Sequence, residues 1–310
     1  MPALSRILLL AAFVVPLAAS AQMLQHQPPP QHRLIHRTTF ALRHNPLGVL
    51  LDSRVSYRYR LYESESLALR DNFLGLGVAP TLSPAFVRVG PYAEFSPLSL
   101  FNVWAALQYV QYFGNFDQLQ GFPGAPSDFS DSAIKDSTDN RFSAHGWELT
   151  LGATFQAKVS SLLVRSQARL VRGDLNLRPG DRIYYDQLYD VGAPNEGWFA
   201  TNDLDVLYQG AGNKLLAGAR YTATVPFYDE AKHFDPANPA TEVSNASQRV
   251  GPFVAYTFKA EDGALFNTPT VFVLVQWWLQ HRFRTGEDTS AALPLIGVGF
   301  QTTGDFLPVH

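Results

Sequence analysis

The sequence predicts an all-β chain, an antiparallel up-and-down transmembrane β-barrel of about 12 strands. Three observations carry this. Apolar and polar residues alternate through one segment after another. The connections sort by parity, tight on one side and long on the other. Aromatic residues collect at strand ends on the apolar face.

Residues 1–21 read as a signal peptide. Arg6 supplies the positive region, Ile7 to Ala19 the apolar run, and Ala19-Ser20-Ala21 the cleavage site. Residues 22–33 read as a Pro/Gln-rich linker. The barrel is expected over 34–302, and 303–310 as a short C-terminal tail. The chain has Cys 0, which excludes disulfides and thiolate chemistry. Beyond the signal peptide no apolar run reaches the ~18 residues of a membrane helix.

The first strand, 34–43, has weak alternation. In 49–61, Val49, Leu51, Val55, Tyr57, Tyr59 and Leu61 alternate with Asp52, Arg54, Ser56, Arg58 and Arg60. The segment 73–80 is weak; its GLGVAP lacks the third glycine of a dinucleotide fingerprint. In 86–95, Val87, Val89, Ala93 and Phe95 alternate with Arg88, Gly90, Tyr92 and Glu94. In 101–113, Phe101, Val103, Ala105, Leu107, Tyr109 and Phe113 share a face.

The clearest pair is 145–172. Trp147, Leu149, Leu151, Ala153, Phe155 and Ala157 form one face of its first strand. Leu162, Val164, Ser166, Ala168 and Leu170 form the matching face of its second. A two-residue turn at Val159-Ser160 would pair Leu151 with Ala168 and put both sets on one side. The opposite face carries Glu148, Arg165, Gln167 and Arg169, which a dry sandwich core would not accept unpaired. The pattern continues through 198–208, 215–225, 250–258, 271–283 and 296–300.

The hairpin alone fits a soluble sheet as well as a barrel. Loop parity decides between them. Tight turns fall at 97–99, 159–160 and 209–213; the long loops 114–144, 174–197 and 226–248 all lie on the other side. Phe95, Phe101, Phe155, Tyr208, Phe258 and Phe300 then fall at the periplasmic interface. Phe113, Trp147, Trp198 and Phe283 fall at the outer one.

With this pattern the chain resembles Gram-negative outer-membrane β-barrel proteins, porin-like, as a class. The resemblance implies outer-membrane localisation after export, contact with outer-membrane lipid and use of the outer-membrane assembly machinery. Leu295 to Phe300 resembles a terminal assembly signal, although the chain continues through QTTGDFLPVH.

The lumen is the candidate functional surface. Asp52, Arg54, Arg58, Arg60, Arg88, Glu94, Glu148, Arg165, Arg169, Asp203, Asp205, Arg220 and Arg282 should point inward. They could line a channel for small, anionic solutes. Alternatively they could form an internal ion-pair network that blocks a narrow barrel. Gly90, Gly152, Gly218, Gly251 and Gly297 suggest a thin wall and favour a pore. A plugged barrel acting in adhesion or reception through its long loops is the second class. A rim hydrolase using His145 with Ser143, or His233 with Asp229 and Asp235, is the third. No catalytic motif is present, so no enzyme is expected. No cofactor and no metal are expected; Asp128, Asp131, Asp136 and Asp139 read as a solvated acidic loop. The net charge of -3 argues against a nucleic-acid partner.

Overall fold

The computed structural model describes residues 29–115, 119–137, 141–237, 243–258, 266–285 and 292–307. The signal peptide and Asp139 lie outside the described residues.

Strands β1 (His32–His44) and β2 (Gly48–Arg60) open the wall. The next strand is two pieces, β3 (Phe73–Val78) and β4 (Thr81–Leu82), and the one after it is β5 (Phe86–Val89) and β6 (Pro91–Leu98). Then come β7 (Phe101–Tyr112), a short β8 (Gly121–Phe122), β9 (Ala144–Val159) and β10 (Leu162–Leu175). Two more short strands, β11 (Ile183–Asp186) and β12 (Val191–Pro194), precede β13 (Trp198–Gly210) and β14 (Leu215–Phe227). The wall finishes with β15 (Ser247–Thr257), β16 (Asn267–Gln280) and β17 (Leu295–Asp305).

Each long strand pairs antiparallel with its sequence neighbour, and β17 pairs with β1. The result is a closed 12-strand antiparallel barrel. Closure matters physically, because every edge N–H and C=O finds a partner without water. The seam carries its own latch. The Asp305 carboxylate accepts from the Leu34 amide at 3.0 Å and from Arg33 Nε at 3.1 Å. The latch ties the two end strands of the wall, which runs from His32 to Asp305.

The two segments with weak alternation are full members of the wall. β1 is paired along its length on both sides. β3 and β4 are interrupted at Ala79-Pro80, where Pro80 has no N–H to give. Gln108 Nε2 donates to the orphaned Ala79 carbonyl at 2.6 Å. The long connection before β3 is held by buried Asn72. Its Oδ1 accepts from the Leu61 and Tyr62 amides, and its Nδ2 donates to the Tyr62 and Leu69 carbonyls.

The β9–β10 turn sits one residue later than expected. Val159 faces Leu162 across Ser160-Ser161, with Ser160 at φ 55°. Leu151 therefore faces Leu170, not Ala168. The shift moves every pair by two residues. Because side chains alternate with period two, the inner and outer faces are unchanged.

The exterior is an apolar belt. Phe40, Leu42, Leu76, Leu107, Leu151, Val206, Val254, Val273 and Val298 are all exposed on it. A belt of this size is stable only against hydrocarbon.

Candidate functional site

The interior is divided into two halves. The outer half holds a folded insert, which sequence reading treated as long polar loops. β8, β11 and β12 form a small separate sheet. It touches the wall on four sides. Tyr184 lies over Gly173 of β10, so closely that a Cβ there would meet the Tyr184 hydroxyl. Asp186 pairs with Arg88 of β5 at 3.3 Å. The Gln187 and Leu188 carbonyls accept from Arg43 of β1. Asp190 pairs with Arg284, just past β16, at 3.0 Å.

The insert brings its own core. Tyr184, Val191 and Ala193 pack with Val110, Tyr112, Ala144, Val171, Leu175 and Phe199 from the outer ends of the wall. Ile183 and Tyr185 pack on their other side with Phe122, Phe129 and Ile134. Ile134 belongs to a short helix, α1 (Asp131–Asp136), whose Asp131 pairs with Arg284 at 2.8 Å. Asp128 accepts from the Ser130 amide ahead of that helix. Burial pushes the Asp190 carboxyl up. His281, Arg284 and hydrogen bonds from Arg284 and Tyr185 outweigh this and hold it well below the usual carboxylate range.

The inner half is lined by charge. Arg58 Nε meets Glu94 at 2.7 Å, with Ser56 Oγ donating to the same carboxylate at 2.6 Å. Gly75 makes room for that carboxylate, since a Cβ there would stand 2.7 Å from Glu94 Cγ. Arg165 and Arg220 share Asp205, each at 2.7 Å. Arg169 meets Asp203 at 3.4 Å. Higher up, Arg88 meets Glu148 at 2.9 Å. Each of these wall-to-wall pairs joins strands no more than two apart in the ring. They run along the wall and do not bridge the lumen.

Arg54 lies over the Trp104 ring at 4.1 Å and beside Tyr92. Asp52 accepts from Thr81 Oγ1 at 2.8 Å. Arg60 sits at the C-terminal end of β2, bonded to the Pro29 carbonyl and to Glu63. Arg282 is a correction. β16 ends at Gln280, so Arg282 leaves the wall's alternation. Its guanidinium instead donates to the Ala125, Pro126 and Ser127 carbonyls and to Asn245, tying loops together.

The glycine reading is also corrected. Gly152 lies under the Trp104 ring. At Gly90, Gly218 and Gly251 a Cβ would strike a neighbouring strand's carbonyl. These four positions seat bulky neighbours or close backbones and do not open the wall, whereas at Gly297 a Cβ would meet only Leu274 Cβ, at 3.8 Å.

Phe95, Phe101, Phe155, Tyr208, Phe258 and Phe300 are exposed on the outer surface at the inner strand ends. Phe113 and Trp147 are exposed at the opposite ends. Trp198 is half-buried beside Arg172. Phe283 is not in this ring. It lies beyond the end of β16 and packs edge-on against Phe129, ring centroids 4.6 Å apart.

Sequence reading missed Arg37, Arg43 and Arg249 on the inner wall. Arg37 and Arg43 lie on β1, whose alternation is weak, and Arg249 falls just before the expected start of its strand. The insert did leave a signal. Val110, Val171 and Phe199 are apolar on the face that is otherwise polar, which means something dry covers them.

The rim histidines form no catalytic pair. His145 lies beside Tyr109 on the outer surface. His233 Nδ1 accepts from the Asp229 amide at 2.8 Å, and its Nε2 faces the Asn195 carbonyl at 2.9 Å. Asp229 caps a short helix, α2 (Glu230–His233), and Asp235 accepts from the Ala237 amide. Backbone groups consume the atoms that chemistry would need.

No family model matches the chain, and no curated protein sequence does. Among solved structures it is similar to OccAB1 of Acinetobacter baumannii, at 8% identity and TM-score 0.38, covering 89% of this chain and 96% of that one. It is similar to the β domain of the Bordetella autotransporter BrkA, at 12% identity and TM-score 0.38, covering 89% and 100%. It is also similar to OccK10 of Pseudomonas aeruginosa, at 12% identity and TM-score 0.29, covering 89% and 98%.

Proposed function

We propose that this chain is a porin-like channel of the outer membrane for small, anionic solutes. One observation carries the reading: the inner half of the lumen is cationic and keeps its ion pairs along the wall. Arg37 points inward yet is exposed, so water reaches the wall there. Arg37, Arg54 and Arg249 have no carboxylate partner within 4.0 Å among the described residues. A wall with surplus guanidinium groups raises the local anion concentration and selects by charge. In this reading the barrel sits in outer-membrane lipid, is placed there by the assembly machinery, and uses the insert as its outer constriction.

Conductance of the purified protein in a planar bilayer tests this. The expected result is small steps whose reversal potential under a KCl gradient shows anion preference. Silence of the intact protein, with large steps once 181–194 is replaced by a short Gly-Ser link, would instead favour a plugged barrel. That second reading rests on the dry packing of Ile183, Tyr184 and Val191.

A further inference from the structure

We infer that Arg37 and Arg54 form a discrete site for a compact oxyanion on the inner wall, reached from the periplasmic end. The inference deepens the channel reading by naming what the cationic wall holds, and its test separates the two.

Arg37 and Arg54 are Cα partners across the β1–β2 pair, and both point inward. Like charges directly opposite on one face of an antiparallel pair repel and destabilise it. Elsewhere in this lumen Arg58 is answered by Glu94 and Arg220 by Asp205. Here none answers. Arg37 Nε and Nη2 both donate to the neutral Gln301 Oε1, at 3.2 and 2.9 Å. Arg54 Nη1 reaches only the Tyr92 hydroxyl, at 3.5 Å. Asp52, the acidic residue nearest in sequence, accepts from Thr81.

A third guanidinium adds to the imbalance. Arg165 stands on β10, opposite β1 in the ring, and points into the same lumen. Its Nε and Nη2 are taken by Asp205, which Arg220 also claims. The surplus therefore faces open lumen from both sides.

The geometry selects the ligand class. Trp104 covers one face of the Arg54 guanidinium, so a partner must come to its edge. Edge donors in a fixed fork match two oxygens of one carboxylate or phosphate group. Among the described residues Arg37 Nη1 has no hydrogen bond, and the residue is exposed. The insert narrows the outer approach, which favours a small soluble oxyanion over a lipid headgroup.

The test is calorimetric titration of the full chain, refolded in detergent micelles, with inorganic phosphate and separately with succinate in chloride-free buffer. The expected result is saturable binding of at least one of the two probes near one per barrel. Arg37→Gln and Arg54→Gln should each weaken it at least tenfold. Arg172→Gln, which removes an outward-facing charge at the outer rim, should leave it unchanged. Arg37→Lys, keeping the charge without the fork, should fall between. Heat-modifiable mobility in gels confirms that each variant folds. Absence of saturation with both probes, or wild-type affinity in the Arg37→Gln/Arg54→Gln double variant, overturns the site. A protein that conducts anions without saturable binding keeps the channel and loses the site. One that binds but does not conduct keeps the site and loses the channel.

Discussion

Arg88 and Arg37 both stand on the inner wall, one in each half of the lumen, under opposite conditions. Arg88 is buried and touches two carboxylates, Glu148 of the wall and Asp186 of the insert. The Tyr112 hydroxyl accepts from it as well. Arg37 is exposed, and among the described residues its side chain hydrogen-bonds only to Gln301. Same residue type and same inward phase give a structural bolt in one case and an open charge in the other. The difference lies in what stands opposite. Where the insert folds in, desolvation makes a charge costly unless carboxylates meet it. Where water remains, an unpaired charge is tolerable and available to a ligand.

The largest expected effect breaks the comparison at its buried end. Arg88→Ala leaves Glu148 and Asp186 buried without their cation and should cost about 3–5 kcal/mol. Arg37→Ala should stay within about 0.5 kcal/mol of wild type. Equilibrium urea unfolding in lipid vesicles measures both. Equal costs would mean that the two halves do not differ as described.

Next comes the contrast between the wall's two faces. Leu151 is exposed on the lipid side between Trp147 and Phe155. Leu151→Arg should lower stability in vesicles by about 2–4 kcal/mol. Arg165→Ala should fold, because Asp205 keeps both contacts from Arg220. A silent Leu151→Arg with an unfolded Arg165→Ala would reverse the assignment of inside and outside.

The insert's latch should give a smaller change. Asp190 takes Arg284, and Tyr185 donates to it at 2.6 Å. Asp190→Asn should loosen the insert by about 1–3 kcal/mol and speed hydrogen exchange at 183–194. The acid response follows from the lowered Asp190 pKa. The folded value lies below the unfolded one, so its contribution is complete above the unfolded pKa of about 3.9. It is lost as pH falls below that, towards the folded value. Exchange of the wild-type insert should therefore rise over that acid range, and Asp190→Asn should show no such rise.

The smallest effect on stability is expected at the open end. Arg37→Gln should leave unfolding unchanged while lowering the anion-to-cation permeability ratio in bilayers. A ratio unmoved by Arg37→Gln and by Arg54→Gln would place the selective charge elsewhere in the lumen.

How far the chain was legible from its residues depends on the range of the physics involved. Alternation is a property of each strand alone, and it assigned Arg54, Arg58, Glu94, Arg165 and Asp205 to one face and Leu151 and Phe155 to the other. That assignment survived a turn displaced by one residue, because the register then moved by two. Arg282 and Phe283 show the limit. The pattern ran on past Gln280, but the strand did not, and both residues joined the loops.

By itself the sequence determined the barrel, its faces and the side on which the long loops lie. These follow from local periodicity and from the cost of unpaired backbone in hydrocarbon. Only the tertiary structure decided that two of those loops turn inward, that Arg88 meets Asp186 from 98 positions away, and that Arg37 meets no carboxylate. The reason is that a lumen contact joins whatever closure brings across the ring. Residues remote in sequence become neighbours there, and no local pattern records which they will be.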